Sequence, residues 1–170
     1  LPDDYRLKSG DLLKIDIGVN YKGFYTDSAL TIPIGKISSK AARLLETGKE
    51  ALIKAISAAK AGSTTGDIGF IIQRTAEDAG FKVIKELTGH GIGFELHEEP
   101  TIYNFGKKRG GIRLEPGMIL AIEPMLSMGS GSVIEKGDGS FATEDGSLTV
   151  HFEHTVAITG KSNEILTQFL

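Results

Sequence analysis

The sequence contains no cysteine. That removes a disulfide framework, a thiolate metal site and a cysteine nucleophile at one stroke, and it fits a reducing compartment. Long apolar runs are missing too. The longest, Met118 to Ile122, is five residues, far short of a membrane span, so no membrane partner is expected. Positive charge is not in excess: 19 basic residues face 22 acidic ones, for a net charge of −3. The densest basic cluster, Lys107-Lys108-Arg109, reads as a few surface cations, and no basic face argues for a nucleic-acid partner. There is no internal repeat and no low-complexity linker. Residue 1 is Leu rather than Met, and Leu1-Pro2-Asp3-Asp4-Tyr5 is neither a signal peptide nor a helix start. The expectation is that the chain begins partway into something longer.

What is present is ordinary for a soluble globular protein: 40% hydrophobic and 24% charged residues in a chain of 170. That length suits one domain, which buries roughly 70% of its unfolded surface. Residues 12–19 alternate, with Leu13, Ile15, Ile17 and Val19 on one face and Lys14, Asp16 and Gly18 on the other, predicting a half-buried strand. A turn at 20–23 and a returning strand at 24–34 follow. Residues 39–60 carry a helical stripe of Leu45, Leu52 and Ile56, stopped by Gly62. Thr64-x-x-Asp67 is a capping box for a second helix that Gly80 ends. Strands are expected at 82–88, 118–126 and 147–159. A loop fills 94–114, and a short hairpin lies within 127–146. The order predicts an α+β fold, with helices covering one face of a mostly antiparallel sheet.

The candidate chemistry lies in acids and histidines set in those strands. A two-residue turn centred on Tyr21-Lys22 places Asp16 directly opposite Asp27. Opposed like charges are destabilising unless they share a proton or a cation; a longer turn would part them. Glu123 keeps apolar company on its strand face, and Glu153 shares a face with Thr149, His151 and Thr155. Each read singly is as well a surface glutamate. His154, on the apolar face, reads as a core histidine, and His151 is ambiguous. The glycines at 89, 91 and 93 around His90 let backbone approach a ligand closely, although a tight turn looks the same. His97 sits on an expected loop, in a His-Glu-Glu run that could equally be solvated. Taken together, Asp16, Asp27, Glu123 and Glu153 carry four negative charges and His90 is a neutral donor. Two divalent cations would balance that set. It is hard and oxygen-rich, suited to Mn, Fe or Co and acceptable to Zn, and two such ions support hydrolysis.

The ordered pattern is Asp16 and Asp27 eleven apart, Gly-His-Gly-Ile-Gly at 89–93, His-Glu-Glu-Pro at 97–100, Glu-Pro-Gly-Met at 115–118, Ile-Glu-Pro-Met at 122–125 and Phe-Glu-His-Thr at 152–155. It closely resembles the type I methionine aminopeptidases, and the resemblance runs from Leu1 to about Thr159. The resemblance implies a pita-bread fold over a single catalytic domain, residues 1–170, lacking the family's N-terminal portion. It implies removal of the initiator methionine from peptides and nascent chains by a hydroxide bridging two divalent metal ions. By the same resemblance Asp27 and Glu153 bridge both metals. His90 and Glu123 complete one site, and Asp16 the other. Glu123 shuttles the proton, the substrate's free amine binds a metal, His97 contacts the substrate amide, and Met125 borders the methionine pocket. A monomer in the cytoplasm or an organelle, with the ribosome as a further partner, goes with it.

Three departures from the pattern stand out. The family's upstream helices, part of its sheet and a second substrate-contacting histidine fall before Leu1. Their absence puts activity in question and predicts exposed apolar sheet edge. Ser140-Phe141 falls where the bacterial type often has a large aromatic residue first, and His151 stands where Gln is common. The alternatives are an X-Pro-cleaving enzyme of the same fold, whose usual segment after the second aspartate differs from Asp27-Ser28-Ala29-Leu30-Thr31, and a non-catalytic binding module.

Overall fold

A computed structural model describes residues 4–168; Leu1-Pro2-Asp3 lie outside the described residues. The first two strands, β1 (Leu12–Tyr21) and β2 (Phe24–Pro33), form an antiparallel hairpin. Its turn is Lys22-Gly23, both at positive φ (54° and 88°), as a two-residue primed turn requires. The turn sits one residue later than its sequence suggests, because the glycine takes the second positive-φ position. The register moves with it: Gly18, not Asp16, lies opposite Asp27, and Asp16 lies opposite Ala29. The shift is two residues along one strand, so parity is kept. Asp16 and Asp27 remain on one face as diagonal neighbours.

The apolar face of β1 is a second correction. Ile17 and Val19 are 57% and 48% exposed. The hairpin extends beyond the core, and the polar face carrying Asp16 and Asp27 is the one turned toward the rest of the molecule.

Two helices follow. α1 (Ser39–Ala58) starts on the Ser38 side chain, which accepts the Ala41 N–H. It buries Leu44, Leu45, Leu52 and Ile56, at roughly 1.5–3 kcal/mol for each large side chain. Gly48 brings its backbone down onto the sheet, since a Cβ there would lie 2.8 Å from the Phe152 ring. α2 (Thr65–Asp78) opens with the predicted capping box, Thr64 and Asp67 each bonding the other's backbone N–H, and Gly80 follows it at φ 82°.

The remaining strands are β3 (Lys82–Val83), β4 (Thr88–Gly91), β5 (Glu98–Tyr103), β6 (Ile119–Ile122), β7 (Met125–Ser127), β8 (Val133–Glu135), β9 (Phe141–Thr143), β10 (Thr149–His151), β11 (His154–Ile158) and β12 (Asn163–Ile165). Besides the β1–β2 hairpin they form a three-stranded sheet, β10-β7-β3, a five-stranded sheet, β12-β11-β6-β4-β5, and the small hairpin β8-β9. All named pairings are antiparallel. The helices and the inner faces of these sheets enclose one core, in which Leu120, Ile122, Leu126, Val150 and Val156 meet Ile68 and Ile72. The α+β expectation holds, with several small sheets in place of one.

Four predicted segments differ in detail. Residues 82–88 divide into β3 and β4, which belong to different sheets. Residues 94–114 contain β5, whose Glu-Glu-Pro opening hides a strand that pairing with β4 and burial of Ile102 in the core stabilise. The long strands 118–126 and 147–159 each break in the middle and pass from one sheet to the other. Pro124 has no N–H to continue a ladder. The Glu153 N–H leaves its strand neighbour for the Ala29 carbonyl, at 2.8 Å.

Candidate metal centre

The double break places two glutamates together. On one side of it Met125 pairs with His151, and on the other Ile122 pairs with His154. The register is the same across the gap, so Glu123 and Glu153 occupy opposed positions where neither strand is in a ladder. His90 enters from β4, where it pairs with Ala121, two residues before Glu123 and on the same face. Gly89 and Gly91 are required by strand packing. A Cβ on Gly89 would collide with the Ala121 carbonyl, and one on Gly91 with the Glu99 carbonyl.

The aspartates arrive on β2 and β1 through a clamp of threonines. The Asp27 N–H donates to Thr155 Oγ1 (2.8 Å), and the same hydroxyl donates to the Asp27 carbonyl (2.7 Å). Thr31 Oγ1 accepts the His151 N–H (2.9 Å) and donates to the His151 carbonyl (2.7 Å). Both threonines are buried. Together with the Glu153-to-Ala29 bond they fix β2 against the broken β10–β11 pair.

One ligand atom each from Asp27, His90 and Glu153 lie within 4.8 Å of one another, and all three residues are buried. Asp16, His151 and Glu153 form a second such triplet, open on the Asp16 side. Glu123 links them: its Oε1 is 3.5 Å from His90 Nε2 and its Oε2 is 3.1 Å from His151 Nε2. His90 Nδ1 is 2.9 Å from the Gly91 carbonyl. Its proton therefore belongs on Nδ1, and the Nε2 lone pair faces the carboxylates. All five residues named from the sequence are thus brought together. His97 is exposed beside them, its ring 4.4 Å from that of His90 and edge-on. Met125 is buried on β7 and lines a cavity of about 430 Å³ with His151, Val133, Phe141 and Leu148. Phe141, not Ser140, provides the aromatic wall there. His154, read as a core histidine, is only half-buried; its Nδ1 is 2.9 Å from Thr167 Oγ1. The residue that sequence reasoning left out is His151; its signal was the strand face it shares with Glu153.

The electrostatics are those of a cation site. Burial pushes the Glu153 carboxyl up to about 10, with the charges of Glu123, Asp27 and Asp16 adding to the effect. Burial, then the Asp16 charge, raises Asp27. Glu153 Oε1 is fully buried and has no hydrogen-bond partner. Leaving a buried acceptor unsatisfied costs about 1–3 kcal/mol, and more for a charged one. Gathered acids with an unpartnered buried oxygen fit divalent cations, and the oxygen–imidazole donor set is the kind that hard first-row ions accept.

A strand-broken carboxylate–imidazole cluster on this fold marks a metallopeptidase. Residues 1–160 match metallopeptidase family M24, and the chain belongs to that family. Its relatives there include methionine aminopeptidases. That of Aquifex aeolicus is 50% identical over 167 residues, covering 95% of this chain and 64% of that one. The solved methionine aminopeptidase of Rickettsia prowazekii is 37% identical with a TM-score of 0.96, over 99% of this chain and 68% of that one. The prolidase of Pyrococcus furiosus shares the fold more distantly, at 28% identity and a TM-score of 0.79, over 99% of this chain and 44% of that one. The chain thus spans about two thirds of the length of these methionine aminopeptidases, and the pita-bread fold and the family resemblance read from the motifs both stand.

Proposed function

We propose that this chain hydrolyses the bond after an N-terminal methionine in peptides and nascent proteins, using two divalent ions held by Asp16, Asp27, His90, Glu123 and Glu153. The observation that carries this reading is the buried, unpartnered Glu153 oxygen at the meeting point of two ligand triplets. The similarity to methionine aminopeptidases favours methionine over other first residues. When bound, the ions supply positive charge that polarises a peptide carbonyl and acidifies a water beside it.

The protein's own groups do the rest. Glu153, common to both triplets, and Asp27, adjoining Asp16, would be the carboxylates shared between the ions. His90, its Nδ1–H committed to the Gly91 carbonyl, presents Nε2 as a fixed donor. Glu123 accepts the proton of the attacking water and returns it to the departing amine. His97, free in solvent at the rim, donates to the substrate amide as its carbonyl carbon becomes tetrahedral. The cavity lined by Met125, Phe141 and Leu148 has apolar walls for the methionine side chain. No helix among the described residues is long and apolar enough to cross a membrane. The similarity to bacterial proteins is consistent with a cytoplasmic monomer acting on chains at the ribosome.

The test is turnover of Met-Ala-Ser against an X-Pro peptide, with Mn²⁺ or Co²⁺ supplied. Release of methionine, abolished by a chelator and lowered by orders of magnitude in Asp27→Asn, is the expected result. Cleavage of the X-Pro peptide alone would transfer the chain to the prolidase type. A folded chain that takes up neither ion would be a binding module instead. Anomalous scattering at the Mn or Co edge from crystals would count the ions directly.

A further inference from the structure

His151 is held as firmly as any residue in the cluster. Its backbone N–H and carbonyl are both bonded to the Thr31 hydroxyl, and its Cα is paired with Met125. Its ring lies between two acids. Nε2 is 3.1 Å from Glu123 Oε2, a hydrogen-bond length. Nδ1 is 3.9 Å from Asp16 Oδ2, too long for one. Two ligands that each lie about 2.1 Å from one ion can stand up to about 4.2 Å apart, so this separation is within reach of a shared cation. The triplet of Asp16, His151 and Glu153 has the same composition as that of Asp27, His90 and Glu153: one aspartate, one imidazole and the shared glutamate.

We propose that His151 is a sixth metal ligand, giving Nδ1 to the ion held by Asp16 and Glu153, so that each ion of the pair carries one imidazole. This rests on the two-ion reading above and adds a residue that reading does not use. A neutral imidazole adds a donor without disturbing the balance of four carboxylates against two divalent ions. It also strengthens the weaker half of the site, where Asp16 is 53% exposed. A ligating histidine usually donates its other N–H to a carboxylate. Nε2–H to Glu123 Oε2 is that bond, and it keeps Glu123 Oε1 turned toward His90.

Cobalt(II) alone is the probe, titrated into the full chain and its His151→Gln variant by calorimetry. Visible absorption and paramagnetic proton NMR are recorded at each step. The wild type is expected to take two equivalents and to show two strongly shifted imidazole N–H signals. His151→Gln should keep the first equivalent, bind the second at least ~10-fold more weakly and lose one of those signals. Two wild-type affinities and an unchanged cobalt spectrum in the variant would overturn the assignment, leaving His151 as a hydrogen-bonding neighbour of Glu123. If the variant does not fold, the fully loaded wild type decides: a single shifted N–H signal overturns it. Uptake of only one cobalt by the wild type would instead sink the two-ion reading, and this proposal with it.

Discussion

Glu153 is buried to 2% exposure among three other acids, with one oxygen bonded to nothing. In the metal-free chain its carboxyl titrates near 10, against about 4.3 in an unfolded chain. Between those values the folded state holds a proton that the unfolded state has released, so stability falls as pH rises. The stability that proton confers is complete below about pH 4.3 and is lost by about pH 10. Thermal melts in excess chelator should therefore show Tm declining from about pH 5 to pH 9. Glu153→Gln, which cannot ionise, should flatten that slope; an equal slope in the variant would mean that another group controls it. His97 predicts a different signature. Its ring meets the His90 ring edge-on and it is in neither ligand triplet, so His97→Ala should retain its metal content while kcat falls by roughly 10²–10³. A large loss of bound metal would show that His97 belongs to the ligand set.

At the scale of elements, the site exists because two strands stop pairing at the same level. Pro124 marks one stop in the sequence, although the run 118–126 reads as a single strand until the fold is known. The other, at Phe152-Glu153, has no such mark and depends on β2 offering the Ala29 carbonyl. Thr155 is central to that docking, satisfying both the N–H and the carbonyl of Asp27 inside the protein. Thr155→Val keeps the shape and removes both bonds. It should cost about 1–3 kcal/mol for each group left unsatisfied, measured by denaturant unfolding, and should weaken metal binding as Asp27 loses its anchor. A cost below about 0.5 kcal/mol would mean that β2 is held by packing alone. The hairpin shows how far local chemistry reads. Asn20-Tyr21-Lys22-Gly23 announces a turn, but which two residues occupy it depends on which can adopt positive φ. An error of one residue there changed the partner of Asp27 from Asp16 to Gly18 without moving either acid to the other face.

For the whole molecule, the cluster opposes folding until a cation arrives, because burying like charges costs several kcal/mol. Ions that bind only the folded state then stabilise it by mass action, by about 2.7 kcal/mol at a hundredfold excess over Kd. For a chain of this size that is roughly 5–10 °C in Tm. Melting with and without Mn²⁺ measures it, with chelator reversing the gain. A Tm indifferent to Mn²⁺ would contradict a metal centre in this cluster.

The sequence by itself determined the two helices and the capping box that opens α2, since the Thr64 side chain binds an N–H only three residues on. It determined the inventory of acids and histidines, and their order was specific enough to name the family. Tertiary structure alone decided that β5 is a strand, that Ile17 and Val19 face outward, that the glycines beside His90 pack against carbonyls, and that His151 joins the cluster. Caps and helix periodicity act over a few neighbouring residues, so one stretch of chain contains them. Strand pairing and the gathering of charge act between residues more than a hundred positions apart, such as Asp27 and Thr155, and only the folded chain brings those together.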